Sequence, residues 1–247
     1  MAGEKELSLR HELKYDIDTL QHQVLQKKLR TVLKPDPNMG SNKCYNIRNL
    51  YFDDIKDTAL QEKQAGVPNR KKYRIRIYNH SDTVIKFERK SKISQYIFKE
   101  STRITRSEAD QIITGDFSFL AKTEDRLLRE FYSETRCKLM RPVVIVEYDR
   151  EAYFHPVGNV RITFDTDLRT GLGPTSFFDN DICTMGIICR PGVILEVKYN
   201  EVLPQYICGL FPNTIRPRTA IGKFILCRDQ QRCQTGNTLG GIPCTKC

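Results

Sequence analysis

RKKYRIRIYNHSDTVIKFERKSKISQYIFK, residues 70–99, is the stretch that decides the fold. Successive side chains of a strand point to opposite faces. Arg70, Lys72, Arg74 and Arg76 therefore share one face, and Tyr73, Ile75 and Ile77 share the other. Lys86, Glu88 and Lys90 repeat the pattern opposite Ile85 and Phe87, so the run predicts three antiparallel strands joined by short polar turns. Two neighbouring strands then show one face crowded with cations. Like charges placed opposite one another destabilise a sheet, which predicts that an anion completes the face. The plainer alternative is a solvated face carrying ordinary surface lysines.

Around this stretch the chain has 247 residues, a length that suits a single large all-β or mixed domain. The expectation is one domain over residues 1–228 and a disordered tail over 229–247. The formal net charge of +10 points to a polyanionic partner, either nucleic acid, a phosphorylated metabolite or an anionic membrane surface. Charge alone does not choose among them. No run of 18 or more apolar residues occurs, and the first residues lack the apolar core of a signal peptide. A cytoplasmic protein without a membrane span is expected. The nine cysteines follow no framework spacing and read as free thiols. Cys244 and Cys247 form a C-x-x-C, for which Cys227 and Cys233 are the only nearby further zinc ligands.

The alternation recurs elsewhere. Leu7, Leu9, His11, Leu13 and Tyr15 line one face of a first strand, with Arg10, Glu12 and Lys14 on the other, and His11 reads as a core histidine. A helix capped by Asp18 follows, with Leu20, Val24, Leu25 and Leu29 as its apolar stripe and its end set by Pro35. Residues 44–53 read as a strand carrying Arg48. Ser107, with Asp110 three residues on, is the expected cap of a short helix, and a longer helix is expected over 122–139. Residues 143–154 and 160–168 form a predicted hairpin around Pro156 and Gly158, with Arg150 and Arg161 as its cations. Residues 170–191 read as a loop with some hairpin content. Residues 192–200 alternate again, with Glu196 and Lys198 on the charged side, and two short helices close the domain. The total is about eight strands, most with one apolar and one charged face. Cations at matching parity in separate strands favour a closed barrel, whose polar lumen can hold one ligand.

These pieces together resemble the VTC (vacuolar transporter chaperone) domain, the polyphosphate polymerase branch of the triphosphate tunnel metalloenzymes. The likeness covers residues 9–224, with the motifs in family order: R-x-E-x-K-Y at 10–15, Y-x-I-R-N-L-Y-F-D at 45–53, R-K-K-Y-R-I-R-I-Y at 70–78, F-E-R-K at 87–90 with Lys99 beyond it, Y-D-R at 148–150, V-R-I-T-F-D at 160–165, L-E-V-K-Y at 195–199 and G-K-F at 222–224. The resemblance implies an α+β fold, an antiparallel eight-stranded β-barrel tunnel with flanking helices. It implies catalytic roles for Arg74, Arg76, Lys90, Arg150 and Arg161, phosphate binding by Lys14, Lys99, Lys198 and Lys223, and Mn2+ or Mg2+ held by Glu196. CYTH-type triphosphatases of the same superfamily begin with E-x-E-x-K. Here the first position is Arg10, which disfavours that branch.

The implied activity is transfer of the ATP γ-phosphate to a growing polyphosphate chain. Phosphoryl transfer asks mainly for positioning and charge stabilisation, which Arg and Lys supply as a planar fork and a compact point charge. The alternatives are a tripolyphosphatase or nucleoside triphosphatase, with Glu12 or Glu88 as base, and a module that binds polyphosphate or inositol phosphates without turnover. ATP and polyphosphate are the expected partners. Nucleic-acid binding needs exposed aromatics among the basic residues; only Tyr73 and Tyr78 offer themselves. Export of product would require a separate membrane-protein partner.

Overall fold

The computed structural model describes residues 11–94, 96–171, 173, 176–187, 192–211 and 222–235. In chain order they form β1 (His11–Ile17), α1 (Thr19–Val32), β2 (Lys34–Pro35), β3 (Tyr45–Asp53), α2 (Thr58–Gln64), β4 (Arg70–Tyr78), β5 (Ser81–Ile93), β6 (Tyr96–Ile104), α3 (Arg106–Thr114), α4 (Arg126–Lys138), β7 (Arg141–His155), β8 (Val160–Gly171), β9 (Thr184–Gly186), β10 (Val193–Tyr199), α5 (Gln205–Cys208) and α6 (Lys223–Thr235). The readings of Leu7, Leu9, Arg10, Cys244 and Cys247 lie outside the described residues. Helix α6 continues to Thr235, so residues 229–235 of the expected tail are helical.

The basic stretch folds as three antiparallel strands, β4 to β6. Asn79 and His80 both take positive φ (49° and 55°) between β4 and β5, the geometry of the turn whose twist suits a two-residue hairpin. The fold is α+β, with strands in the order β1-β10-β8-β7-β3-β4-β5-β6, β2 beside β7 and β9 beside β8. Eight principal antiparallel strands with helices beside them are what the resemblance implies.

Two compact units share this chain, one made of residues 1–45, 149–166 and 191–221 and the other of 46–148, 167–190 and 222–247. Each buries the apolar parity of its strands under helices. In the first, Leu25 and Leu29 of α1 join Ile162, Phe164, Leu195 and Val197. In the second, Phe131 of α4 meets Phe52 and Phe87 with ring centroids 5.3 and 4.8 Å apart, in a core with Tyr73, Ile75 and Ile77. Each such side chain contributes about 1.5–3 kcal/mol on burial. With the apolar parity committed to the core, the charged parity is left to the opposite face.

Four local expectations are corrected. Leu20 and Val24 are 69 % and 41 % exposed, because α1 turns His22 and Gln26 inward beside Leu25 and Leu29. Their side chains reach the buried Glu151 at 3.1 Å and at 2.7–2.8 Å, a demand that outweighs burial of two more aliphatic groups. Thr105, not Ser107, caps α3, through a capping box with Glu108; Glu is the preferred partner where Asp110 would be too short. Helix α4 begins at Arg126, capped by Asp125. His11 is exposed and stacks on Tyr199 at 5.0 Å instead of entering the core.

Candidate functional site

The register of β3 to β6 builds a cationic face in the second unit. Arg70 lies opposite Lys92, Arg76 opposite Lys86, Lys72 opposite Lys90, Lys90 opposite Lys99 and Lys86 opposite Arg103. These are five directly opposed like-charge pairs, each unfavourable in a sheet. Glu88, opposite Arg74 and Ser101, is the carboxylate at their centre. Arg74 donates to it from Nε at 2.7 Å, and its Nη2 lies 2.6 Å away. Lys99 Nζ is 2.5 Å from its other oxygen, Oε1, and Arg76 Nη1 is 3.8 Å from Oε2, the oxygen that Arg74 holds. Burial alone would raise the Glu88 pKa, but Arg74, Arg76 and Lys99 together outweigh it and hold the group at about 2.

Neighbours from other elements orient the arginines. Arg74 Nη1 donates to Tyr51 Oη at 3.0 Å, and Arg76 Nε donates to Asn49 Oδ1 at 2.8 Å. Asn49 is itself anchored by its Nδ2, which donates to the Val146 carbonyl at 3.1 Å. Burial lowers the Lys99 pKa, Glu88 opposes it, and Arg76 and Arg74 depress it further, with the net shift downward. From α6, Lys223 Nζ sits 4.7 Å over the Tyr148 ring, and Phe224 lies 5.1 Å from the Tyr51 ring.

The first unit brings together Lys14, Lys198, Arg150 and Arg161, each with a carboxylate. Lys14 Nζ lies between Glu12 Oε1 (3.0 Å) and Glu196 Oε1 (3.1 Å). Lys198 Nζ is 2.8 Å from Glu196 Oε2, where Arg150 Nη2 also approaches to 3.8 Å. Arg150 makes a two-pronged contact with Asp165, Nε to Oδ1 at 2.6 Å and Nη2 to Oδ2 at 2.7 Å. Arg161 Nη2 donates to Asp36 Oδ2 at 2.7 Å and Tyr45 Oη at 3.1 Å. Burial would depress both lysines. Two carboxylates overcome it at Lys14, which shifts upward; at Lys198 the carboxylates are opposed by Arg150 and the shift is downward.

All nine expected phosphate ligands lie among the described residues: Arg74, Arg76, Lys90, Lys99 and Lys223 in one unit, Lys14, Arg150, Arg161 and Lys198 in the other. Arg48 belongs to neither cluster. It is 1 % exposed, paired with Glu147 at 2.5 Å and donating to the Phe177 and Asp179 carbonyls, so it is neither a lumen nor a surface residue. Its parity, shared with Leu50 and Phe52, carries that signal. Tyr51, Asn49, Asp36 and Asp165 are partners that the sequence pattern does not single out. Tyr51 and Asn49 sit directly opposite Arg74 and Arg76, and strand pairing is what the sequence alone does not give. Tyr73, 3 % exposed, faces the core and offers no stacking surface. Burial pushes the Cys227 thiol up in pKa, and it lies 3.7 Å from the Arg169 carbonyl, an environment that disfavours a zinc thiolate.

The family model of the VTC domain matches residues 9–230. The chain belongs to the VTC domain family. No curated protein matches this VTC domain chain. A solved structure of a Bacillus halodurans protein, described as a candidate adenylate cyclase, superposes with a TM-score of 0.46 at 10 % identity, covering 96 % of the VTC domain chain and 93 % of the other.

Proposed function

We propose that this VTC domain chain is a polyphosphate polymerase, transferring the γ-phosphoryl group of ATP to a growing polyphosphate and releasing ADP. The observation that carries the reading is the β4–β6 face, with its five opposed cation pairs around Glu88. An extended polyanion relieves the mutual repulsion of such a face.

The terminal phosphate of the acceptor chain is already an ionised oxygen. It forms the new bond to the γ-phosphorus as the bond to the ADP oxygen breaks, and no protein nucleophile is required. Arg74, Arg76 and Lys90 stabilise charge on the transferring group, while Lys99 and Lys223 hold neighbouring phosphates. In the other unit, Arg150, Arg161, Lys14 and Lys198 bind phosphate by exchanging their carboxylate partners for it. Hydrolysis is the weaker reading. Glu88, at about 2, is a poor base near neutrality, and Glu12 is engaged by Lys14.

Family resemblance implies Mn2+ or Mg2+. Among the described residues no three His, Cys, Asp or Glu side chains gather as ligands, while Glu12 and Glu196 share Lys14. One or two carboxylates suit an ion whose other ligands are phosphate oxygens and water. Glu196, with Glu12 beside it, would hold such an ion, which supplies neutralisation of phosphate charge.

A cytoplasmic setting fits a chain that consumes ATP and whose described cysteines are free. No helix among the described residues is long and apolar enough to cross a membrane.

Purified protein incubated with ATP and Mn2+ should make long, phosphatase-sensitive polymer. Orthophosphate as sole product would move the assignment to a triphosphatase, and polyphosphate binding without turnover would move it to a binding module.

A further inference from the structure

Asp57 precedes α2 with a left-handed backbone (φ 56°, ψ 38°), and its side chain makes no capping bond to that helix. Aspartate at this position ordinarily caps. Here the first amides of α2 are taken by two other carboxylates: Thr58 N–H donates to Asp54, and the Ala59 and Leu60 N–H groups donate to Asp53. The Asp57 carboxylate turns instead to α6. Arg228 Nη2 donates to Oδ1 at 2.6 Å and Arg232 Nη2 to Oδ2 at 2.9 Å, with Arg141 Nη2 3.9 Å away.

Phe224, Arg228 and Arg232 recur at i, i+4 and i+8, one row along a helix. The row that ends on Asp57 begins with Phe224, which is 3 % exposed, packs on Tyr51 and has Lys72 Nζ 4.7 Å over its ring. Tyr51 in turn holds Arg74. Lys223 is the residue before Phe224, so the placement of α6 fixes where its ammonium stands over Tyr148. A cost in local backbone conformation, with capping delegated to two neighbours, frees one carboxylate to tie down the helix that carries a phosphate-binding lysine.

We propose that Asp57 is a positioning residue for the phosphate-binding face: by clamping Arg228 and Arg232 it fixes α6 so that Lys223 and Phe224 stand against that face. This rests on the polyphosphate reading above. It goes beyond it in giving a role to a residue that touches no phosphate.

The test uses the full chain and linear polyphosphate as probe, with affinity measured across a salt series for the unsubstituted protein, Asp57→Asn, Asp57→Glu, Lys223→Ala and the Asp57→Asn/Lys223→Ala pair. Amide exchange is followed in residues 223–235. Asp57→Asn is expected to weaken binding about tenfold and to lower the slope of log affinity against log salt by about one, as Lys223→Ala does. The double variant should be no worse than Lys223→Ala, because residues acting through one another are non-additive. Asp57→Glu should recover part of the loss, and exchange in α6 should rise in Asp57→Asn but not in Lys223→Ala. If Asp57→Asn fails to fold, Arg228→Gln/Arg232→Gln removes the same clamp from the other side and carries the same expectations. Unchanged exchange in α6, or losses that simply add, would overturn the role while leaving the polyphosphate reading intact. Failure of the unsubstituted chain to bind polyphosphate at any salt would overturn both.

Discussion

The Glu88 face and the Glu196 cluster use the same residue types at the same strand parity, yet their charges close differently. Around Glu196, the four cations Lys14, Lys198, Arg150 and Arg161 meet the four carboxylates Glu12, Glu196, Asp165 and Asp36 within 4 Å. On the Glu88 face, Lys72, Arg76, Lys86, Lys90, Lys99 and Arg103 oppose one another across the strands, and Arg74, Arg76 and Lys99 converge on one carboxylate. A balanced cluster can hold its shape without ligand. On the proposed reading, the cation-rich face is the one that takes up an external anion, and ligand binding at the balanced cluster would first compete with its own carboxylates.

Matched substitutions should separate the two. Arg74→Ala leaves Glu88 paired with Lys99 and Arg76, so the fold should survive while turnover falls about 10²–10³-fold, the cost typical of losing one preorganised charge-stabilising donor. Arg150→Ala strips the buried Asp165 of its two-pronged partner. Removing one member of a buried pair costs about 3–5 kcal/mol, so this variant should lose thermal stability as well as turnover. Steady-state turnover and thermal melting of both proteins check the contrast, and an Arg74→Ala protein as destabilised as Arg150→Ala would collapse it.

The acid limb sharpens the comparison at Glu88. Its folded pKa, about 2, lies below the ordinary 4.5. A depressed carboxylate contributes stability that is present above the unfolded value and lost as pH falls toward the folded one. Between pH 4.5 and about 2, Glu88 should therefore surrender roughly 3 kcal/mol. Other depressed carboxylates, Glu134, Glu147 and Glu151, titrate in this limb too, so the informative quantity is the difference from Glu88→Gln. Denaturant unfolding at stepped pH should show a shallower acid decline in the variant. Identical declines would mean that the three cations do not act through Glu88.

Much of this was legible beforehand because period-two alternation reports facing directly. The three strands expected within 70–99, the hairpin expected over 143–168 and the parity of Arg74, Arg76, Lys90, Glu196 and Lys198 all follow from it. The carboxylate partners did not, because Asp165 meets Arg150, and Asp36 meets Arg161, only after strands far apart in sequence come together. The apolar stripe of α1 misleads for a related reason. Leu20 and Val24 satisfy the helical period, but Glu151, more than a hundred residues away, claims His22 and Gln26 and rotates α1 against that stripe. At α3 the competing signals were local, Thr105 with Glu108 against Ser107 with Asp110, and side-chain length decided between them.

The smallest expected effect concerns the lysines at alkaline pH, where the two clusters cease to differ as wholes and individual partners matter. Lys99 and Lys198 both have pKa values below the usual lysine value, each chiefly through burial, whereas Lys14 is raised because Glu196 and Glu12 outweigh its burial. A lysine carries its charge below its pKa, so a rising pH discharges Lys99 and Lys198 before an ordinary lysine and Lys14 after one. Polyphosphate affinity should therefore begin to fall below the usual lysine range, with one partly exposed contact of about 1 kcal/mol giving about a fivefold change. Lys99→Ala and Lys198→Ala should each bind more weakly at neutral pH but lose less on going alkaline. Lys14→Ala should bind more weakly with the alkaline limb unmoved. If Lys14→Ala were instead the variant that flattened the limb, the carboxylates would not be holding that ammonium in its charged form, and the cluster around Glu196 would not be the closed, self-neutralised arrangement that sets it apart from the Glu88 face.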